Sequence, residues 1–166
     1  MTAHQLRLSG VVEESIVDGP GLRFVIFTQG CPHQCPGCHN PKTHPFTGGF
    51  CMDIETIFEQ FQENPLLDGI TFSGGEPFMQ AAPLVQLAKK IHSIKKHITI
   101  YTGYVFENLL KMSKQNRAII DLLTITDLLI DGPFLLSQKN LELSFRGSAN
   151  QRLLDQQEMQ KLIQQC

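Results

Sequence analysis

Four short apolar segments, each ending in a run of turn-forming or chemically active residues, constrain this chain more than any other feature. Residues 22–28 (LRFVIFT), rich in branched and aromatic side chains, feed through Gln29-Gly30 into Cys31-Pro-His-Gln-Cys35-Pro-Gly-Cys38. Residues 69–72 end at Ser73-Gly74-Gly75-Glu76-Pro77, residues 97–102 at Gly103-Tyr104, and residues 128–130 at Asp131-Gly132-Pro133. Helical patterns lie between them. Residues 53–63 offer Asp53 as N-cap and Ile54, Ile57, Phe58 and Phe61 at helical spacing, and residues 84–94 place Leu84, Leu87, Ala88, Ile91 and Ile94 on one face. Residues 106–112 read as a third helix. Alternating strands and helices predict an α/β fold of parallel βα units. Ligands of such sheets gather beyond the carboxyl ends of the strands, where every unusual motif here falls. A closed eightfold barrel takes about 250 residues, so a chain of 166 predicts a partial, open (βα) barrel with roughly four to six parallel strands. No repeat or low-complexity tract divides it, which predicts a single domain over 1–166.

The cysteine run places three thiols within a short loop that Pro32, Pro36 and Gly37 keep from becoming helical. Clusters that only carry electrons normally take four cysteines, whereas three leave one iron of a 4Fe-4S cluster open to an exchangeable ligand. The spacing therefore points to Cys31, Cys35 and Cys38 as metal ligands in a catalytic centre. A zinc-binding interaction module is the non-enzymatic alternative, with His33, His39, His44 or Cys51 as the missing ligand. His33 and His39 read more simply as hydrogen-bonding or surface residues, Cys51 as a lone thiol, and Cys166 as a free thiol at the end.

Fourteen basic against sixteen acidic residues give a formal charge of -2, which supplies no footprint for nucleic acid or an anionic membrane. The opening MTAHQLRLSG has no apolar signal-peptide core, no stretch is apolar enough to span a bilayer, and the cysteines form no disulfide framework. A cytoplasmic protein is expected. The glycine pair Gly74-Gly75 lets backbone approach a ligand closely, and Glu76 beside it suits an ammonium group. Asp131 stands at a strand's carboxyl end, facing the expected site. The segment 146–152 carries two guanidinium groups among flexible polar residues, suited to a solvated loop or to one that binds a carboxylate or partner. Tyr101 and Tyr104 are expected to pack the strand and its edge.

Together, Cys31-x3-Cys35-x2-Cys38 and Gly74-Gly75-Glu76-Pro77 resemble the radical S-adenosylmethionine superfamily. Within it, 17–23 (VDGPGLR) and Gln29-Gly30-Cys31 resemble the activases of glycyl-radical enzymes. The nearest likeness is to the activating proteins of anaerobic ribonucleoside-triphosphate reductases, carried by 35–40 (CPGCHN), 101–104 (YTGY), 131–134 (DGPF) and 146–152 (RGSANQR). The resemblance implies a 4Fe-4S cluster on three cysteines, S-adenosylmethionine on the fourth iron, and cofactor contacts from Gly37, Cys38, His39, Gly74, Gly75, Glu76 and Asp131. It implies that reductive cleavage of S-adenosylmethionine makes a glycyl radical near the C-terminus of a large anaerobic ribonucleotide reductase subunit. Reduced flavodoxin or a similar donor would supply the electron. Activation of another glycyl-radical enzyme, such as a formate-lyase, is the enzymatic alternative. The superfamily commonly has an aromatic residue before the third cysteine, near the adenine; Gly37 stands there, which moves that contact to His39 or to backbone.

Overall fold

The computed structural model describes residues 3–165, so Cys166 lies outside the described residues. One sheet holds β1 (Gln5–Ser15), β2 (Arg23–Thr28), β3 (Phe50–Asp53), β4 (Gly69–Gly74), β5 (His97–Tyr101), β6 (Leu128–Asp131) and β7 (Arg152–Asp155). Their order is β3-β1-β2-β4-β5-β6-β7. The helices are α1 (Ile54–Gln62), α2 (Ala81–Ser93), α3 (Phe106–Ser113), α4 (Arg117–Ile125) and α5 (Gln156–Gln165).

The parallel part consists of β2, β4, β5 and β6, the four segments whose apolar runs announce them. The sheet as a whole is mixed, which corrects the expectation of a purely parallel array: β1 runs antiparallel to β2 and β3, and β7 antiparallel to β6. The physical reason lies in burial. Only Leu6, Leu8 and Ser15 of β1 are buried and its register shifts twice, β3 is almost wholly exposed, and β7 is four residues long. None of the three needs the apolar run of a strand covered on both faces.

Residues of alternating parity divide the two faces of the parallel strands. Phe24, Ile26, Ile70, Phe72, Ile98, Ile100 and Leu129 join one apolar core with Ile57 and Phe61 of α1, Leu84, Leu87 and Ile91 of α2, and Leu122 of α4. Two helix details differ from expectation. Asp53 stands at the N-cap position of α1 but makes no side-chain cap bond, and Ile94 lies just past α2, 36% exposed. By contrast Asn116 does cap α4, its side chain accepting from the Ala118 amide at 3.2 Å.

The opposite face carries polar groups that are nevertheless buried. Arg23, Thr71 and Thr99 are fully buried there. The connection between β1 and β2 lies against this face: Thr71 Oγ1 donates to the Asp18 carbonyl at 2.7 Å, and a Cβ on Gly19 would stand 3.3 Å from Thr99 Oγ1. Arg23 donates to Thr71 Oγ1, Thr99 Oγ1 and the carbonyls of Pro20, Ile70 and His97, and its Nη1 lies 3.2 Å from His97 Nδ1. Burial lowers the Arg23 pKa to about 10, against the pull of Asp68 and Asp127. Among the described residues, no helix is long and apolar enough to cross a membrane.

Candidate functional site

The cysteine loop leaves β2 at its carboxyl end and is fastened at its root. Gly30 and Cys31 donate their amides to the carbonyls of Thr43 and His44 at 2.7 and 3.0 Å. Gln29 Nε2 holds the same return segment through the carbonyls of Lys42 and Pro45. The glycine turn after β4 is joined to that root: Gly75 N donates to Thr28 O at 2.7 Å and Glu76 N to Gly30 O at 2.8 Å. Only glycine fits the close approach. A Cβ on Gly75 would lie 2.3 Å from Gly30 O, and one on Gly74, whose φ is +94°, would lie 2.5 Å from Thr28 N.

Cys31 is buried, and Cys35 and Cys38 are half-buried; none is in a disulfide. Burial pushes the Cys31 thiol up, while hydrogen bonds from the backbone of His33 and Gln34 work the other way. Cys38 Sγ accepts from the Asn40 amide at 3.4 Å. Amides aimed at sulfur stabilise thiolate, the form that binds iron. Among the described residues, no three His, Cys, Asp or Glu side chains converge to hold a single ion. A four-iron cluster asks for no such point, since each thiolate takes its own iron.

A cavity of about 420 Å³ opens beside the loop, and Cys31, Cys35, Cys38, His39, Gly74 and Gly75 all line it. This is a small-molecule volume. Its floor reaches Val17 and Asp18, and its far wall is made by the connection between β6 and β7, including Phe134, Phe145 and Arg146. Gly37, Glu76 and Asp131 do not line it. Gly37 is exposed, and the two carboxylates are turned into the protein.

Glu76 is fully buried and its oxygens accept from His33 Nε2 (2.8 Å), Thr102 Oγ1 (2.9 and 3.0 Å), Gly103 N (2.9 Å) and Phe78 N (3.1 Å). One carboxylate thus ties the cysteine loop to the turn after β5. His33 sits edge-on to the Tyr104 ring, centroids 4.4 Å apart, where a Cβ on Gly103 would lie 2.4 Å from His33 Cδ2. Asp131 accepts from the Phe106 amide at 2.7 Å, starting α3, and from Arg152 Nε at 2.9 Å and Nη2. Arg152 also grips both oxygens of Glu107, whose pKa that bond holds down. Arg146 donates to Gln151 O at 3.1 Å, but its buried Nε has no partner.

Sequence reasoning passed over Gln80. Its side-chain amide mimics a strand, accepting from Arg7 N and donating to Arg7 O at 2.8 Å each, which locks the 3₁₀ turn after Glu76 to β1. Nothing in its local sequence context announces that role.

A loop of three free thiols at the carboxyl ends of parallel strands, beside a glycine-lined cavity, has the make-up of an iron-sulfur protein. Consistent with that class, residues 17–154 match the model of a family described as a 4Fe-4S single cluster domain. Relatives named anaerobic ribonucleoside-triphosphate reductase-activating protein extend over most of the chain. One from Haemophilus influenzae is 37% identical over 147 residues, covering 82% of this chain and 89% of its own. Those from Escherichia coli K12 and Enterobacteria phage T4 are 33% and 34% identical, covering 82% of this chain and 90% and 86% of their own. The chain belongs to this family of activating proteins.

Proposed function

We propose that this protein activates an anaerobic ribonucleoside-triphosphate reductase by making a glycyl radical through reductive cleavage of S-adenosylmethionine at a 4Fe-4S cluster. The single observation that carries the reading is the cavity shared by the three cysteines and the Gly74-Gly75 turn. Cys31, Cys35 and Cys38 would hold the cluster, which would leave one iron open to S-adenosylmethionine. When bound, the cluster supplies one electron to the sulfonium, giving methionine and a 5′-deoxyadenosyl radical able to take a hydrogen atom from a glycine Cα. Reduced flavodoxin or a similar donor renews that electron.

The chain's own residues bind, orient and exclude water. Gly74 and Gly75 admit the methionine portion against backbone. Arg146, the one Lys or Arg among the described cavity-lining residues, offers a guanidinium to a carboxylate. Glu76 acts through what it holds: it keeps His33, and with it the cysteine loop, in register with the turn at Thr102-Gly103. Asp131 fixes the rim in the same way through Phe106 and Arg152. The open sheet edge and the cavity mouth suit a loop of the large reductase subunit as substrate, in a partial barrel of the radical S-adenosylmethionine type. The work takes place in the cytoplasm.

The test is anaerobic. Reconstituted protein should bind about one 4Fe-4S cluster per chain and, given S-adenosylmethionine and a reductant, place a glycine radical on the reductase subunit, read by electron paramagnetic resonance. A radical that appears on a formate-lyase and not on the reductase would reassign the partner. Retention of cluster and of cleavage in Cys35→Ala would sink the chemistry.

A further inference from the structure

Within the cysteine run itself, residues 31–38, no ring is free to stack. His33 is tied to Glu76 and packed on Tyr104, and the residue before Cys38 is glycine. The space over Gly37 belongs to another segment. A Cβ on Gly37 (φ +74°) would lie 3.0 Å from Leu136 Cδ1 and 3.5 Å from Phe134 Cε1. The opposite edge of the same Phe134 ring meets Gly147, where a Cβ would lie 3.0 Å from Cδ2 and 3.2 Å from Cε2. His39 stands against it with ring centroids 5.0 Å apart at 50°. Phe134 is half-buried, and both rings line the cavity of the three thiols.

We infer that Phe134, backed by His39, is the stacking platform for the purine of S-adenosylmethionine. The inference rests on the function proposed above and adds the place of the base. With the methionine portion at Gly74-Gly75, beside the root of the loop at Gly30, the nucleoside must extend toward the loop's other end. That end is where Cys38 and His39 meet Phe134 and Gly147. A half-buried ring that lines the cavity and has glycines beside it on two sides suits a flat, apolar-faced base. Gly37 and Gly147 are thereby explained together: each keeps one edge of the platform clear.

The test is binding of S-adenosylmethionine to the anaerobically reconstituted protein, measured by equilibrium dialysis, with cluster content read by iron and sulfide analysis. Phe134→Leu keeps apolar bulk and removes the ring. It should weaken binding roughly tenfold at unchanged cluster content, while Phe134→Tyr stays close to the parent. Methionine, which has no base, should bind parent and Phe134→Leu alike. Phe50→Leu, at an exposed ring of β3 away from the cavity, should leave S-adenosylmethionine binding as it was. Parent-like binding by Phe134→Leu, or an equal loss for methionine, overturns the inference. A loss in Phe50→Leu equal to that in Phe134→Leu overturns it too. If Phe134→Leu does not load a cluster, His39→Ala carries the same comparison. A parent that binds no S-adenosylmethionine at all defeats instead the reading on which the inference rests.

Discussion

Arg23 and Glu76 are both wholly buried, one at the amino ends of the parallel strands and one just beyond their carboxyl ends, and neither touches a side chain of firmly opposite charge. Arg23 spends its donors on two threonine hydroxyls, three carbonyls and a histidine, all fixed parts of the sheet and its floor. Glu76 instead gathers donors from two separate pieces, the cysteine loop and the turn after β5. The first arrangement is a plug that closes one end of the sheet. The second is a clasp joining separate parts around a cavity. A buried charge therefore serves stability at one end and geometry at the other.

Breaking the plug should have the largest effect on stability. Arg23→Met leaves several buried acceptors without a donor, and about 3 kcal/mol should be lost in urea unfolding, since each unsatisfied group costs about 1–3 kcal/mol and removal of a buried cation offsets part. Cluster loading of the folded fraction should stay near normal. The clasp should answer in the opposite sense. Glu76→Gln should cost about 1–2 kcal/mol globally yet speed cluster loss to a chelator several-fold and raise amide exchange across residues 31–38. Equal effects of the two variants on chelator resistance would abolish the distinction.

Two smaller effects concern pH. Burial, with Arg23 alongside, holds the His97 pKa below its usual 6.5, so the unfolded chain takes up the proton first as pH falls. Stability should be full above about pH 6.5 and decline below it, by at most about 1.4 kcal/mol per pH unit, and His97→Gln should remove that slope. At the rim, the Arg152 bond holds the Glu107 carboxyl below its usual 4.5. Its contribution is present above that value and lost as pH falls through the depressed one. Because both side chains are more than a third exposed, the loss should stay under about 1 kcal/mol. Thermal melts of Glu107→Gln from pH 6 to 3 should be correspondingly flatter.

The parallel half of the fold is legible because strands covered on both faces need unbroken apolar runs, and 22–28, 69–72, 97–102 and 128–130 have them. The antiparallel strands hide because one face or both meet water, so their patterns resemble loops. Of the residues singled out for the site, the cysteines, His39 and the glycine pair do share one cavity. Glu76 and Asp131 show the limit of such reading: a carboxylate beside a glycine turn looks the same in sequence whether it faces a ligand or clasps its own backbone. The Phe134 wall was illegible for a different reason. Its contact with Gly37 joins segments nearly a hundred positions apart, and no local spacing encodes that.

The reversed direction of β7 has a consequence for how this protein can vary. Because β6 ends and β7 begins at the same rim, the connection 132–151 never crosses the sheet. Asn150 Nδ2 donates to Pro133 O, Gln151 Nε2 to Gly132 O, and Arg152 to Asp131, fastening its two ends side by side. Inserted or deleted residues between these anchors leave every strand register alone, and doubling the length of such a loop costs only about 0.6 kcal/mol in closure entropy. The stretch of the wall between Phe134 and Gly147 is thus a separately adjustable part, free to be remodelled for a different partner while the thiols, the base platform and the sheet beneath stay as they are.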